Sequence, residues 1–105
     1  MIISTTETIA GKTIKETIGI VRGNTVRAKW FGKDFVAGLR NIIGGEVKEY
    51  TEMMTEAREE ALKRMEDEAK KLKADAIVGV RFTTSQTTAG AAEFLAFGTA
   101  VRFTK

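Results

Sequence analysis

Apolar and polar residues alternate along three stretches of the chain, and this alternation predicts β-strands. The first stretch covers residues 13–22, which are rich in β-branched side chains that suit a pleated surface. The other two cover residues 76–84 and 94–104. Small polar residues occupy 85–93 between them, so this part predicts a loop that joins the last two strands as a hairpin.

The first predicted strand places Ile14, Ile18 and Ile20 on one side, because side chains two residues apart share a face. Gly23 and Asn24 follow, and both tolerate positive φ, which predicts a turn. After that turn, alternation predicts a further short strand that carries Val26, Ala28 and Trp30.

Helical spacing appears in two segments. Asp34 can cap a short helix that ends at Gly44 and Gly45, and its apolar positions are Phe35, Leu39, Ile42 and Ile43. Residues 47–73 are rich in strong helix formers and predict a long helix. Four acid–base pairs one turn apart support it: Glu59 with Lys63, Glu60 with Arg64, Glu66 with Lys70, and Asp67 with Lys71.

The predicted sheet has two unequal faces. We expect the long helix to cover the face with large side chains, which are Val78, Val80, Phe82, Leu95, Phe97, Val101 and Phe103. The other face carries small residues that would let another backbone approach: Gly19, Gly79, Ala96, Gly98 and Ala100. The apolar stripe of the helix, from Tyr50 to Leu72, is also wider than one sheet needs. These surfaces predict an oligomer, unless Met1, Ile2, Ile3, Trp30 and the short helix cover them.

Composition removes several classes of chemistry. The 105 residues suit a single domain over 1–105, with 43% hydrophobic and 30% charged residues. Cysteine and histidine are both absent, which excludes disulfides, thiolate or imidazole nucleophile pairs and the usual zinc, haem and iron–sulfur ligands. The net charge is only +3 and basic residues are dispersed, so nucleic acid is not an expected partner. With no long apolar run and no signal sequence, we expect a cytoplasmic protein and no membrane partner.

Several ordered motifs resemble the YbjQ family, whose members carry a heavy-metal-binding label. They are VRGNTV at 21–26, AGLRNIIGGE at 37–46, YTEMM at 50–54, AR at 57–58, ADAIVGVRF at 74–82 and GTAV at 98–101. The resemblance implies an α+β fold, a two-layer β-α-β-β subunit with an antiparallel-rich sheet, assembled as a pentameric ring. It says little about activity. The chain departs from the family pattern at Ala10, where proline is frequent, and at Lys73, where glycine is usual, so we expect the left-handed end of the long helix to carry a side chain at Lys73.

Two kinds of ligand site are candidates. Glu46, Glu49, Glu52 and Glu56 lie near the start of the long helix, and carboxylates suit hard divalent ions such as Mg²⁺, Ca²⁺ or Mn²⁺. The alternative is a solvated acidic face that complements the helix dipole. Arg40 and Asn41 before Gly44 and Gly45 are candidates for binding a small anion. The alternative there is that Arg40 pairs with a neighbouring glutamate.

The sequence therefore predicts a homo-oligomeric binding or scaffold protein, with a metal ion or small molecule bound at subunit boundaries. A second hypothesis is an enzyme whose site is built between subunits from Arg40, Glu46 and Tyr50. No serine, threonine or lysine has a recognisable activating partner, so an enzyme is the weaker interpretation. Ligand, pathway and partner proteins are not identified by these residues.

Overall fold

One helix packs on a four-stranded mixed sheet in a computed structural model of the protein, described over residues 1–27, 48–88 and 91–105. Side chains are described for all of these except 48–50 and 87–88. The elements are β1 Ile2–Ile3, β2 Ile14–Arg27, α1 Lys48–Lys71, β3 Ala76–Thr88 and β4 Ala91–Phe103. The strand order is β1-β3-β4-β2, with β1 parallel to β3 and the other pairs antiparallel. This arrangement confirms the α+β class and the long helix.

Strand β2 is longer than predicted. It runs without interruption from Ile14 to Arg27, so the predicted turn at Gly23 and Asn24 is wrong. Gly23 is buried where the backbone of α1 comes very close to the strand. Glycine is needed there because a side chain would not fit between the two backbones, and not because the chain turns. The predicted positions Ala28 and Trp30, and the predicted short helix after them, lie outside the described residues.

The last two strands also extend into the predicted loop. Strand β3 continues to Thr88 and β4 begins at Ala91, so most of residues 85–93 form an antiparallel pair. Threonine is common along the end of β3, and its branched side chain suits strands even where the surface is polar. Polarity was therefore a poor guide to a loop at this position.

Register shifts at four places change which side chains share a face. They lie between Ile14 and Glu16 and between Thr17 and Gly19 in β2, and between Val78 and Arg81 and between Gln86 and Thr88 in β3. Ile18 packs against the core under the helix, whereas Ile14 packs on the opposite face and Ile20 is exposed. The prediction that Ile14, Ile18 and Ile20 share one side is therefore wrong.

The same effect operates in β3. Val78 belongs to the cluster on the face away from the helix, whereas Val80 belongs to the core beneath it. Gly79 adopts φ +61° in the bulge between them, a conformation that glycine reaches without a Cβ clash. A prediction of one continuous face through Val78, Val80 and Phe82 is therefore wrong.

The helix covers the face with small side chains, which reverses the predicted arrangement. Helix α1 lies mainly over β2 and β4, and its buried positions recur every four residues: Met53, Ala57, Ala61, Met65 and Ala69. Beneath them lie Val21, Gly23, Ala96, Gly98 and Ala100, all buried. Alanine on the helix and glycine or alanine on the sheet let the two backbones approach closely. The small residues therefore accommodate the protein's own helix.

The N-terminal segment covers part of the opposite face, which we call the outer face. There Ala76, Val78 and Val101 form a second buried cluster, and Ile9, Ile14 and Phe103 pack against it. Backbone hydrogen bonds from Ser4 N to Ile77 O (2.9 Å) and from Gly79 N to Thr6 O (2.8 Å) attach this segment to β3. Met1 and Ile2, which were expected to cover exposed surface, are themselves exposed, and Ile9 is the residue of the N-terminal segment that packs on this cluster.

The C-terminus of α1 ends in a Schellman motif. Ala74 N donates to Ala69 O (3.1 Å) and Lys73 N donates to Lys70 O (3.0 Å), while Lys73 adopts φ +60°. Arg102 reinforces this end, since its guanidinium donates to Leu72 O (2.7 Å) and Lys73 O (3.1 Å). A lysine therefore stands where the motif favours glycine.

Replacing Lys73 by glycine should stabilise the fold by about 1 kcal/mol, because a side chain in the left-handed region costs about 1–2 kcal/mol and glycine recovers most of it. Thermal or urea unfolding at fixed protein concentration measures the change. Lys71→Gly is the matched control, since glycine within the helix should destabilise by about 1 kcal/mol. Equal or lower stability of Lys73→Gly would contradict the assignment of this cap.

Candidate functional site

Most of the predicted site residues lie outside the described residues or at the start of α1, where side chains are not described. Arg40, Asn41, Gly44, Gly45 and Glu46 lie outside the described residues. Glu49 and Tyr50 are in the first turn of α1, but their side chains are not described. Glu52 and Glu56 are exposed on α1, one helical turn apart. Among the side chains that are described, no three acidic, histidine or cysteine residues form a group able to hold a metal. The metal and anion sites therefore stay predictions.

The described residues instead bring together uncovered apolar surface at one end of the sheet. We call this end, formed by residues 20–27, 81–88 and 91–97, the distal sheet. It extends beyond the part of the outer face that the N-terminal segment covers. Large hydrophobic side chains are exposed on it on both faces, and both of its edges are open within the described ranges. These are features of a surface that meets another molecule.

Phe82 is the exposed apolar residue on the helix side of the distal sheet. It pairs with Ala96, which is buried under the helix, and directly paired residues share a face. Helix α1 lies over β2 and β4 and leaves this part of β3 uncovered, so 48% of Phe82 is exposed. Met54 and Leu62 are only partly buried on the helix. Leu62 lies on one flank of α1 and Glu60 lies on the other, because residues two apart in a helix point to opposite sides.

Three apolar side chains are exposed on the outer face. They are Ile20, at 65% exposure, Val26, at 52%, and Phe97, at 36%. Phe97 is flanked across the strands by Arg22 and Arg81. The register puts Ile20 opposite Thr99. Such positions on an isolated subunit would normally be polar, because one face of a solvated antiparallel sheet carries polar residues.

The edges of the distal sheet are also open. Strand β2 is the outermost strand on one side, and β1 on the other side pairs with β3 only at Ala76 and Ile77. Residues 81–88 of β3 therefore have β4 as their only described strand partner. Unpaired strand edges readily accept another strand, so a folded protein usually covers or protects them.

The dimensions of the chain agree with an extended subunit. Its radius of gyration is 17.2 Å and its extents are 56 × 24 × 16 Å. A compact domain of this length has a radius of gyration of about 13 Å. The described part of the chain is therefore more extended than a compact domain, because the distal sheet projects from it.

Ion pairs hold the helix over the outer edge of β2. Glu60 accepts from Arg27 Nη2 (2.8 Å) and from Arg64 Nη2 (2.6 Å), and Arg64 Nη1 donates to Asn24 O (2.6 Å). The hydrogen bond from Arg27 and the charge of Arg64 lower the pKa of Glu60 below its ordinary value. Two of the four predicted acid–base pairs are formed, Glu60 with Arg64 and Glu66 with Lys70 at 3.6 Å.

The sequence pattern predicted the exposed surface on the wrong side of the sheet. It predicted contact through the face with small residues, but Ala96, Gly98 and Ala100 of that face lie under the helix. Phe82 and Phe97 were assigned to the covered face, although both are exposed. The bulge at Gly79 and the small buried side chains of α1 were the signals that could have corrected this, but their effect depends on register.

The fold and these surfaces define a class: small two-layer α+β subunits with an apolar sheet end that the described residues leave exposed. The chain belongs to the YbjQ family, whose model matches residues 1–104 and is described as "Putative heavy-metal-binding". No helix in the described ranges is both long and apolar enough to cross a membrane.

Relatives extend over the whole length of the chain. A UPF0145 protein of Archaeoglobus fulgidus is 67% identical over 102 residues, which cover 97% of this chain and 94% of that protein. A UPF0145 protein of Psychromonas ingrahamii is 55% identical over 105 residues and covers all of both chains. A crystal structure of a DUF74-family protein of unknown function from Pediococcus pentosaceus has a TM-score of 0.68 at 18% identity, covering 99% of this chain and 98% of that one. This likeness supports the fold.

Proposed function

We propose that the protein functions as a homo-oligomeric ring, a pentamer, that binds a metal ion or small molecule where subunits meet. The single observation that carries this proposal is the apolar surface that the described residues leave exposed on both faces of the distal sheet. Phe82 lies on one face, and Ile20, Val26 and Phe97 lie on the other. A subunit of the same kind is the simplest molecule able to cover both.

The two apolar surfaces differ, which favours a closed ring over a two-fold dimer. The helix side presents Phe82 beside a helix flank, whereas the outer face presents Ile20, Val26 and Phe97 on a flat strand surface. A two-fold interface uses the same patch on both partners, while contact between two different patches runs head to tail and forms a ring when the rotation between subunits closes. The pentameric count follows from the family resemblance alone.

Open strand edges support the same assembly. Among the described strands, β2 ends the sheet on one side and residues 81–88 of β3 end it on the other. Their unpaired backbone groups would gain partners at an interface between neighbouring subunits. Head-to-tail contacts use one edge from each partner, so every subunit in a ring would have both edges covered.

The ligand part of the proposal rests on residues near the start of α1. Glu52 and Glu56 are exposed there and make no hydrogen bond or ion pair with another described residue. A ring repeats this acidic helix face in each subunit, which increases the number of carboxylates available to one hard cation. Arg40, Asn41, Gly44, Gly45, Glu46, Glu49 and Tyr50 complete the proposed ligand-binding set.

Native mass spectrometry of protein purified from its source tests assembly and ligand together. We expect a mass of five subunits, with any retained metal or small molecule as an additional mass. Light scattering at micromolar concentration checks the assembly in solution. A stable, well-folded monomer in both measurements would contradict the proposed ring.

Phe82→Lys should break the assembly while the subunit stays folded, because a charge replaces a half-exposed apolar side chain at the proposed contact. Thr104→Lys is the matched control, since it adds the same charge at an exposed position near the C-terminus. Light scattering reports subunit number and circular dichroism reports the fold. An unchanged oligomer for Phe82→Lys would exclude this surface from the interface.

A further inference from the structure

A cavity of about 350 Å³ opens on the outer face, where the part covered by the N-terminal segment meets the distal sheet. Its floor is apolar and includes the buried side chains Val78 and Val101. Its walls carry one carboxylate, one guanidinium and two hydroxyls, from Glu7, Arg81, Thr17 and Thr99. This volume is at the lower end of ligand pockets, which hold about 300–1,000 Å³, so it suits a small metabolite.

Arg81 is held in place on one side only. Its Nη1 donates to Thr5 O (2.9 Å) and Val80 O (2.8 Å), which ties the guanidinium to the N-terminal segment and to β3. Its Nη2 and Nε make no hydrogen bond with any described residue. A guanidinium positioned in this way presents donors in a fixed plane, the geometry that binds a carboxylate.

Glu7 supplies the opposite charge and forms no ion pair with a described residue. It lines the same cavity as Arg81, but the two do not form an ion pair, and Glu7 has no hydrogen-bond partner among the described residues. The hydroxyls of Thr17 and Thr99 are likewise without described partners. Two opposite charges that face one cavity and do not pair with each other are arranged to bind a molecule that carries both charges.

The backbone keeps this cavity open. Gly79 lines it within the β3 bulge, and a Cβ built on Gly79 would meet nothing within 4 Å. The bulge beside Thr17 in β2 lies across β4 from it and faces Ala100 and Val101, whereas the Gly79 bulge faces the stretch from Phe97 to Thr99. Bulges of this kind often re-aim side chains beside a functional site, and here they place the polar walls around the apolar floor.

We propose that this cavity binds a small zwitterion with an apolar side chain, of the class of free α-amino acids. The ligand carboxylate pairs with Arg81 and its ammonium group pairs with Glu7, while the side chain contacts Val78 and Val101. All of these residues come from one subunit, so binding requires neither the proposed ring nor the acidic helix face. None of these residues belongs to the ligand-binding set proposed at subunit boundaries.

Isothermal titration of the full-length protein with L-leucine tests the proposal against two analogues that each lack one charge, 4-methylpentanoate and 3-methylbutylamine. We expect saturable binding of L-leucine and about ten- to hundredfold weaker binding of either analogue, because each loses one charge-assisted pair. NMR shifts at the backbone amides of Gly79, Arg81 and Thr99 should locate the ligand. Equal binding of all three compounds, or none at millimolar concentration, would overturn the proposal.

Glu7→Gln is the decisive variant, because Glu7 has no described partner to lose and its removal should not affect folding. It should weaken L-leucine binding about tenfold or more while leaving 4-methylpentanoate unaffected. Arg81→Gln should weaken the binding of both L-leucine and 4-methylpentanoate, because both compounds carry a carboxylate. Arg22→Gln, on the same face but outside the cavity, is the control and should bind normally. Unchanged L-leucine binding in Glu7→Gln would refute the proposed site.

Discussion

Gly23→Ala should destabilise the protein by about 3 kcal/mol or more, since overpacking a tight site costs about 1–3 kcal/mol and occasionally more. An added Cβ would overlap the carbonyl oxygen of Ala61 and the amide nitrogen of Met65, and would lie 2.8 Å from Cβ of Arg64. The first two are backbone atoms of α1, so relief requires the whole helix to move away from the sheet. Urea unfolding followed by circular dichroism measures the loss.

Gly79→Ala separates steric overlap from backbone strain. A Cβ at Gly79 meets nothing within 4 Å, but the residue has φ +61°, so the cost should be about 1–2 kcal/mol from the left-handed conformation alone. Both variants must be compared at one protein concentration, because assembly would make stability concentration-dependent. If Gly23→Ala were no more destabilising than Gly79→Ala, the close helix–sheet approach at Gly23 would be contradicted.

Phe94→Ala should cost about 3–5 kcal/mol, the usual loss for a fully buried aromatic residue. Phe94 is 1% exposed and belongs to the core under α1. Most of the buried helix positions that face this core are alanine. A core with so few large side chains depends strongly on each of them. Thermal unfolding of the variant should show a markedly lower midpoint, or a chain that is not folded at all.

Phe97→Ala is the matched comparison, because Phe97 lies on the same strand but on the outer face and is 36% exposed. Its removal should cost the isolated subunit about 1 kcal/mol or less, and light scattering should show weaker assembly instead. A large loss of subunit stability in Phe97→Ala with no change in oligomeric state would place Phe97 in the core and contradict its assignment to an interface.

Local patterns predicted the elements of this fold better than their faces. The helix over 47–73 is confirmed as Lys48–Lys71, because strong helix formers and a regular apolar stripe act within single turns. The left-handed end expected at Lys73 is also confirmed. The turn at Gly23 was wrong, since glycine permits both a turn and a close approach, and only the position of α1 distinguishes the two.

The candidate site was predictable to a smaller extent. The sequence indicated an incompletely covered subunit, and exposed apolar surface is present in Phe82 and Ile20. Its location was missed, because each bulge shifts the alternation by one residue and transfers the following side chains to the other face. Glu7 and Arg81 were not singled out at all, since 74 positions separate them in the chain and only the fold brings them to one cavity.

The amino-acid sequence by itself determined the class of fold, the long helix with its left-handed end, and the absence of thiol and imidazole chemistry. These properties depend on composition and on neighbours within a few residues. Only the tertiary structure decided which face the helix covers, which aromatic side chains stay exposed and where opposite charges meet. Those outcomes depend on strand register, and a single bulged residue is enough to reverse them.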